Sequence, residues 1–196
     1  MSKIDFDIEF HKYADDNQIY ITFNPNALGE SESAKKLMEA CITEIRSFMT
    51  SNYLKLNDDK TEFMLIGSNI NLKKVSQTTV KIGDEIIHPT DQARNIGVTF
   101  DCNLSLTKHI QKTTKAAWFH LWNISKIRKF LDVEATKGLC HALITSKLDF
   151  CNSLLHGIPD EHLKPLTKIQ KSTVRLIYRL KKDRVTHITP FMIELR

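Results

Sequence analysis

With 196 residues and 41% hydrophobic content, the chain can bury one ordinary core or two small ones that share an interface, which excludes disorder and a fibrous class. Six Gly and five Pro are too few for low complexity, and no window approaches the roughly 18 consecutive apolar residues of a membrane span, so no membrane partner is expected. The net charge of +5 hides an uneven distribution: residues 1–105 hold 11 Lys/Arg against 16 Asp/Glu, and residues 106–196 hold 17 against 7, which predicts a polyanion partner for the second half and cation binding in the first.

The start, Met1-Ser2-Lys3-Ile4-Asp5-Phe6-Asp7, alternates acidic and apolar residues where a signal peptide would show a basic end and an apolar run, so secretion is not indicated. Ile4, Phe6, Ile8 and Phe10 face one way and Asp5, Asp7, Glu9 and His11 the other, which is strand periodicity. After Tyr13-Ala14-Asp15-Asp16-Asn17 the alternation resumes with Ile19, Ile21 and Phe23, predicting a β-hairpin with two carboxylates at its tip.

Asn24-Pro25-Asn26 breaks the second strand, and a helix is predicted from about Ser31, with Ala34, Leu37, Met38, Cys41, Ile42, Ile45, Phe48 and Met49 on one stripe. Glu30 and Glu32 suit the positive end of its dipole. The Asn57-Asp58-Asp59 turn leads to Phe63-Met64-Leu65-Ile66, which reads as a short buried strand, and the polar residues 68–77 as a surface loop. Val80-Lys81-Ile82 and Glu85-Ile86-Ile87 flank Gly83-Asp84, the pattern of a type II′ hairpin. Ile96, Val98 and Phe100 complete the β-rich half.

Helices are expected over about 105–130, 134–148 and 160–182, with a turn near 150–156 and a break at Gly157-Ile158-Pro159. The last has Leu163, Leu166, Ile169, Thr173, Leu176, Ile177 and Leu180 on its apolar face. Lys164, Lys168, Lys171, Arg175, Arg179 and Lys182 recur on its polar face, and no Asp or Glu occurs from His162 through Lys182. A cationic ridge roughly 30 Å long is predicted, suited to tracking phosphates. Trp118, Phe119 and Trp122, at helical spacing, read as core residues rather than as base-stacking platforms. Cys41, Cys102, Cys140 and Cys151 are too scattered for a disulfide framework or zinc ribbon, so reduced thiols are expected.

Adjacent carboxylates at a hairpin tip repel one another, and a divalent cation removes that difficulty. Oxygen ligands of this type hold Mg²⁺ loosely enough to admit substrate phosphates. Asp and Asn also favour solvated turns, so the tetrapeptide alone would not decide the matter. Its surroundings do: His11-Lys12-Tyr13-Ala14-Asp15-Asp16-Asn17-Gln18-Ile19-Tyr20 resembles the catalytic hairpin of reverse transcriptases from jockey-like non-LTR retrotransposons. In the same order, Leu54-Lys55-Leu56-Asn57-Asp58-Asp59-Lys60-Thr61-Glu62-Phe63 resembles that family's next palm block, and Asn95-Ile96-Gly97-Val98-Thr99-Phe100-Asp101 its later strand. Leu148-Asp149-Phe150-Cys151-Asn152-Ser153-Leu154-Leu155-His156-Gly157 resembles a segment beyond the palm, so the likeness runs over most of the chain from His11.

The resemblance implies an α+β chain: an incomplete polymerase palm over residues 1–101 and a basic, all-helical, thumb-like region over 102–196. It implies RNA-directed DNA polymerase activity, with an RNA template, a DNA primer and deoxynucleoside triphosphates as partners and Mg²⁺ in a complete active site. Asp15 would be a magnesium ligand, with Asp16 contributing to the metal or to local structure. Tyr13 and Ala14 would lie near the primer terminus, and Lys60 near the departing pyrophosphate. Only 14 residues precede Asp15, so the fingers and the earlier palm strand with its further aspartate are not expected here, and the chain alone is expected to be inactive. The alternative is a non-catalytic nucleic-acid-binding or interaction protein that uses the helical half. Work on chromosomal DNA would place such a protein in the nucleus.

Overall fold

The computed structural model describes residues 8–14, 16–57, 60–75, 78–83, 85–180 and 188–194. It is a mixture of helices and short antiparallel strand pairs, an α+β chain. Two compact units divide it: Met1–Ala93 with Cys102–Leu104, and Arg94–Asp101 with Ser105–Arg196. Among the described residues no helix is long and apolar enough to cross a membrane. All four cysteines are free thiols, and Cys140 is buried.

In the first unit, β1 (Ile8–Tyr13) pairs antiparallel with β2 (Asp16–Ile21). The stretch 4–7 of the predicted first strand lies outside the described residues. Helix α1 (Glu30–Ser51) follows Gly29, whose φ of 75° lies where a side chain would be strained. Glu30 and Glu32 occupy its first turn, as the dipole favours. The helix meets β3 (Val80–Ile82), where Glu39 Oε1 accepts the Lys81 N–H at 2.7 Å. β3 pairs with β4 (Glu85–Ile87) and buries Val80 and Ile82, while Gly83 supplies a φ of 64° at the turn and Asp84 lies outside the described residues.

Two expectations fail in this unit. Residues 68–77 were expected as a loop, but Asn69–Val75 forms helix α2. The Ser68 carbonyl accepts the Leu72 N–H at 2.9 Å, Val75 is buried, and Lys73 and Lys74 sit at the negative end of the dipole. Phe63–Ile66 is not a strand: pairing stops at one parallel bridge between Phe63 and Pro89, and Ile66 is exposed. The Thr90 N–H donates to the Phe63 carbonyl at 2.8 Å as part of that bridge, and from Gln92 the following chain pairs in a different strand.

The division between units passes through β5 (Gln92–Asn95), which is joined to β6 (Val98–Asp101) by Ile96 and Gly97. Both turn residues have positive φ, 43° and 83°, as a two-residue hairpin turn of the I′ kind requires, so Ile96 belongs to the turn and not to the alternating strand. A Cβ on Gly97 would lie 3.0 Å from the Phe150 ring. The Gly97 turn and the Leu148-Asp149-Phe150 segment therefore meet within the second unit.

The remainder of that unit is a helical bundle of α3 (Thr107–Ile127), α4 (Val133–Cys140), α5 (Ser146–Asp149), α6 (Asp160–Tyr178) and the short α7 (Thr189–Glu194). The Asp101 carboxylate accepts the Ser105 N–H and Oγ–H and fixes the entry to α3. Asp132 caps α4 by accepting the Ala135 N–H at 2.7 Å. Ala117, Leu121, Ile124, Cys140, Ile144, Leu148, Ile169 and Ile177 form the core.

Helices α4 and α5 run into one another through a π-helical turn, His141–Thr145. The buried residues Thr136, Cys140, Ile144 and Leu148 recur every four positions, a spacing that drifts about 40° per step in a regular α-helix. The extra residue of the π turn removes most of that drift and keeps all four facing the core.

Candidate functional site

The hairpin supplies the first part of the site. Its register sets Tyr13 opposite Asp16, with Ala14 in the bend between them. Ala14 has φ 54°, the left-handed conformation a tight I′-type bend demands. Adopting it costs an alanine about 1 kcal/mol. Paired residues share a face, so Asp16 stands beside Tyr13, with His11, Gln18, Glu9 and Tyr20 farther along the same side. The His11 and Tyr20 rings meet edge-on at 5.6 Å, and the Tyr20 hydroxyl donates to Gln18 Oε1. Tyr13, Ala14 and Asp16 are exposed, so the tip is open to a large ligand.

Asp15 lies outside the described residues. Among those described, no three His, Cys, Asp or Glu side chains come together in a way that could hold a metal ion, and Asp16 is the single carboxylate at the tip. The described residues alone thus hold no complete ligand set for a magnesium ion. Lys60 sits in an exposed turn of the same unit, its N–H donating to the Asn57 carbonyl at 3.2 Å, while the neighbouring Asp58 and Asp59 lie outside the described residues.

The second part is helix α6. Ile169, Thr173, Val174 and Ile177 are buried, with Leu166 and Leu176 packed beside them, so the apolar face falls where its spacing predicts. On the opposite side Lys164, Lys168 and Lys171 are exposed and Arg175 is half-buried. The ridge is shorter than expected because α6 ends at Tyr178. Arg179 takes φ 54°, and the N–H groups of Arg179 and Leu180 both donate to the Arg175 carbonyl, ending the helix. Arg179 thereby leaves the ridge and donates from Nη2 to the Arg128 carbonyl at 3.2 Å. Lys182 lies outside the described residues.

Two features escaped the sequence reading. Arg128 is 7% exposed, and its guanidinium donates to the carbonyls of Leu131, Leu176 and Ile177 at 2.6, 3.0 and 2.6 Å, closing the end of α6. Trp118, Phe119 and Trp122 are not core residues: they are 38, 60 and 56% exposed. The core-facing stripe of α3 is Ile110, Thr114, Ala117, Leu121 and Ile124, and the aromatic side chains project from the other side of the helix. Helical phase, counted against the smaller residues, would have shown it.

Comparison with protein-family models, with curated proteins and with solved structures finds no match.

Proposed function

We propose that this chain is a reverse-transcriptase-like polypeptide of the non-LTR retrotransposon kind that engages primer–template nucleic acid, with a palm-type hairpin at residues 8–21 and a thumb-like helical bundle. The observation that carries this reading is the tight bend between Tyr13 and Asp16, which leaves Tyr13, Ala14 and Asp16 exposed at the end of a hairpin. Additional support comes from the face of α6 that exposes Lys164, Lys168 and Lys171 with no acidic residue between His162 and Lys182.

Two-ion phosphoryl transfer needs two divalent ions held side by side, and the motif itself supplies only the consecutive acids Asp15 and Asp16. On this reading the chain by itself binds nucleic acid and does not extend a primer. A second reading, a non-catalytic binding module built on the helical unit, draws on the same three lysines.

Primer extension on an RNA template with Mg²⁺ and deoxynucleoside triphosphates, run with the wild-type chain and with Asp15→Asn, separates the possibilities. Extension lost on substitution assigns polymerase chemistry to the hairpin. No extension, with salt-sensitive duplex binding whose log–log salt slope falls by up to about 0.9 for each of Lys164, Lys168 and Lys171 changed to Gln, assigns binding alone. No extension and an unchanged salt slope would remove both readings.

A further inference from the structure

The outer face of α3 joins two features that do not usually share a stripe. Lys108, Lys115, Phe119, Trp122 and Lys126 project from the side of the helix away from its buried residues, Trp118 stands at the edge of that side, and all six are exposed. No Asp or Glu occurs from Cys102 through Leu131, so no acidic side chain of this helix offsets the lysines. The stripe runs for about 27 Å at 1.5 Å per residue. The lysines stand toward its two ends with the rings between them. The Lys126 ammonium lies 3.3 Å from the centroid of the Trp122 ring, so the indole already holds a cation against its π face.

We propose that this face binds an unpaired nucleic-acid strand, with bases stacking on Trp118, Phe119 and Trp122 and phosphates passing Lys108, Lys115 and Lys126. Flat aromatic faces offered to solvent match the faces of unstacked bases, which a duplex hides inside its helix. Trp118 and Trp122 are about 6 Å apart along the axis, one step of a strand whose bases are separated. The flanking lysines extend along a line, as the charges of a linear polyanion do. This inference concerns α3 alone and holds whether or not the α6 lysines bind a duplex, because α3 and α6 pack against each other through their buried residues and both cationic faces are turned away from that contact.

Trp118 and Trp122 are the two tryptophans of the chain, so their fluorescence reports directly on the stripe. The full chain is titrated with an unlabelled oligo(dT) and oligo(U), with a blunt duplex of equal length, and with anionic phosphatidylserine vesicles. The proposal expects quenching by the single strands at lower concentration than by the duplex. It expects a loss of roughly tenfold or more in affinity for Trp118→Ala, with circular dichroism unchanged. The variant Phe119→Ala keeps both reporters and should weaken binding similarly. Lys108, Lys115 and Lys126 changed to Gln should each lower the log–log salt slope by about 0.7. Duplex binding that is equal or tighter and is weakened by Trp118→Ala and Phe119→Ala overturns the proposal, as does a response to vesicles alone. Unaltered affinity in folded Phe119→Ala and Trp118→Ala chains does so as well.

Discussion

Arg128 offers the sharpest test of how the helical unit is held together. The carbonyls of Leu176 and Ile177 belong to the last turn of α6, where the helix supplies no N–H groups, and the guanidinium donates to both and to Leu131. Its charge also lies at the negative end of the α6 dipole. Hydrogen bonds from a charged donor contribute about 1.5–3 kcal/mol each, although three made by one group do not add. Arg128→Ala removes these donors and leaves the carbonyls of the closing turn unsatisfied, and should therefore cost about 3 kcal/mol. Arg128→Lys keeps the charge but cannot present three fork-like donors to three carbonyls, and should lose about 2 kcal/mol. Urea unfolding followed by tryptophan fluorescence reads this unit directly, since Trp118 and Trp122 both lie in α3. A loss below about 1 kcal/mol for Arg128→Ala, or a lysine variant as stable as the parent, would refute the assignment of Arg128 as the closure of α6.

Gly97→Ala places a side chain at φ 83° and within 3.0 Å of the Phe150 ring, and should cost about 1–2 kcal/mol, whereas Gly97→Asn, which tolerates that backbone better, should cost less in the same unfolding experiment. Burial pushes the Cys140 thiol up to about 11 against a smaller opposing effect of Arg128, so a thiol reagent at neutral pH should modify Cys140 last, with its release following global unfolding. Burial and the neighbouring Lys112 lower the His109 pKa, and its Nδ1 lies 3.4 Å from the Thr99 N–H. The neutral ring is thus favoured in the fold, and its contribution is complete above about pH 6.5 and is lost as pH falls through the depressed folded value. His109→Gln should flatten the acid side of the stability profile between pH 7 and 5, and an unchanged profile would remove His109 as its cause.

The parts of this fold that were legible in the sequence are those where one pattern had no rival. Alternation around Tyr13-Ala14-Asp15-Asp16 left no other element to propose, and the spacing of Leu166, Ile169, Thr173 and Ile177 fixed the buried face of α6. On α3 two periodic stripes compete, one of small and aliphatic residues and one of aromatics, and hydrophobicity favours the wrong one. Ala117 and Thr114 win because small side chains let α6 approach closely, a tertiary preference that periodicity does not carry. The polar composition of residues 68–77 hid a helix start at Ser68, and the apolar run Phe63–Ile66 gave no sign that its pairing would stop at a single bridge. The end of α6 was invisible for a simpler reason: no glycine marks it, and Arg179 takes the left-handed conformation without one. At the hairpin the bend was legible, whereas the disposition of its acids toward a metal was not, because a ligand set depends on what other strands bring to it.

The π turn at His141–Thr145 makes this stretch sensitive to length in a way that its residue types do not reveal. Removing one residue there would restore ordinary α-helical pairing and make the segment locally more regular. It would also rotate everything beyond it by about 100°, swinging Leu148 out of the core and taking Phe150 away from Gly97. An added residue would turn the same side chains by a similar angle in the other sense. Five positions that can exchange one side chain for another are therefore closed to insertions and deletions, and the irregular turn persists because the straight helix would aim its second half in the wrong direction.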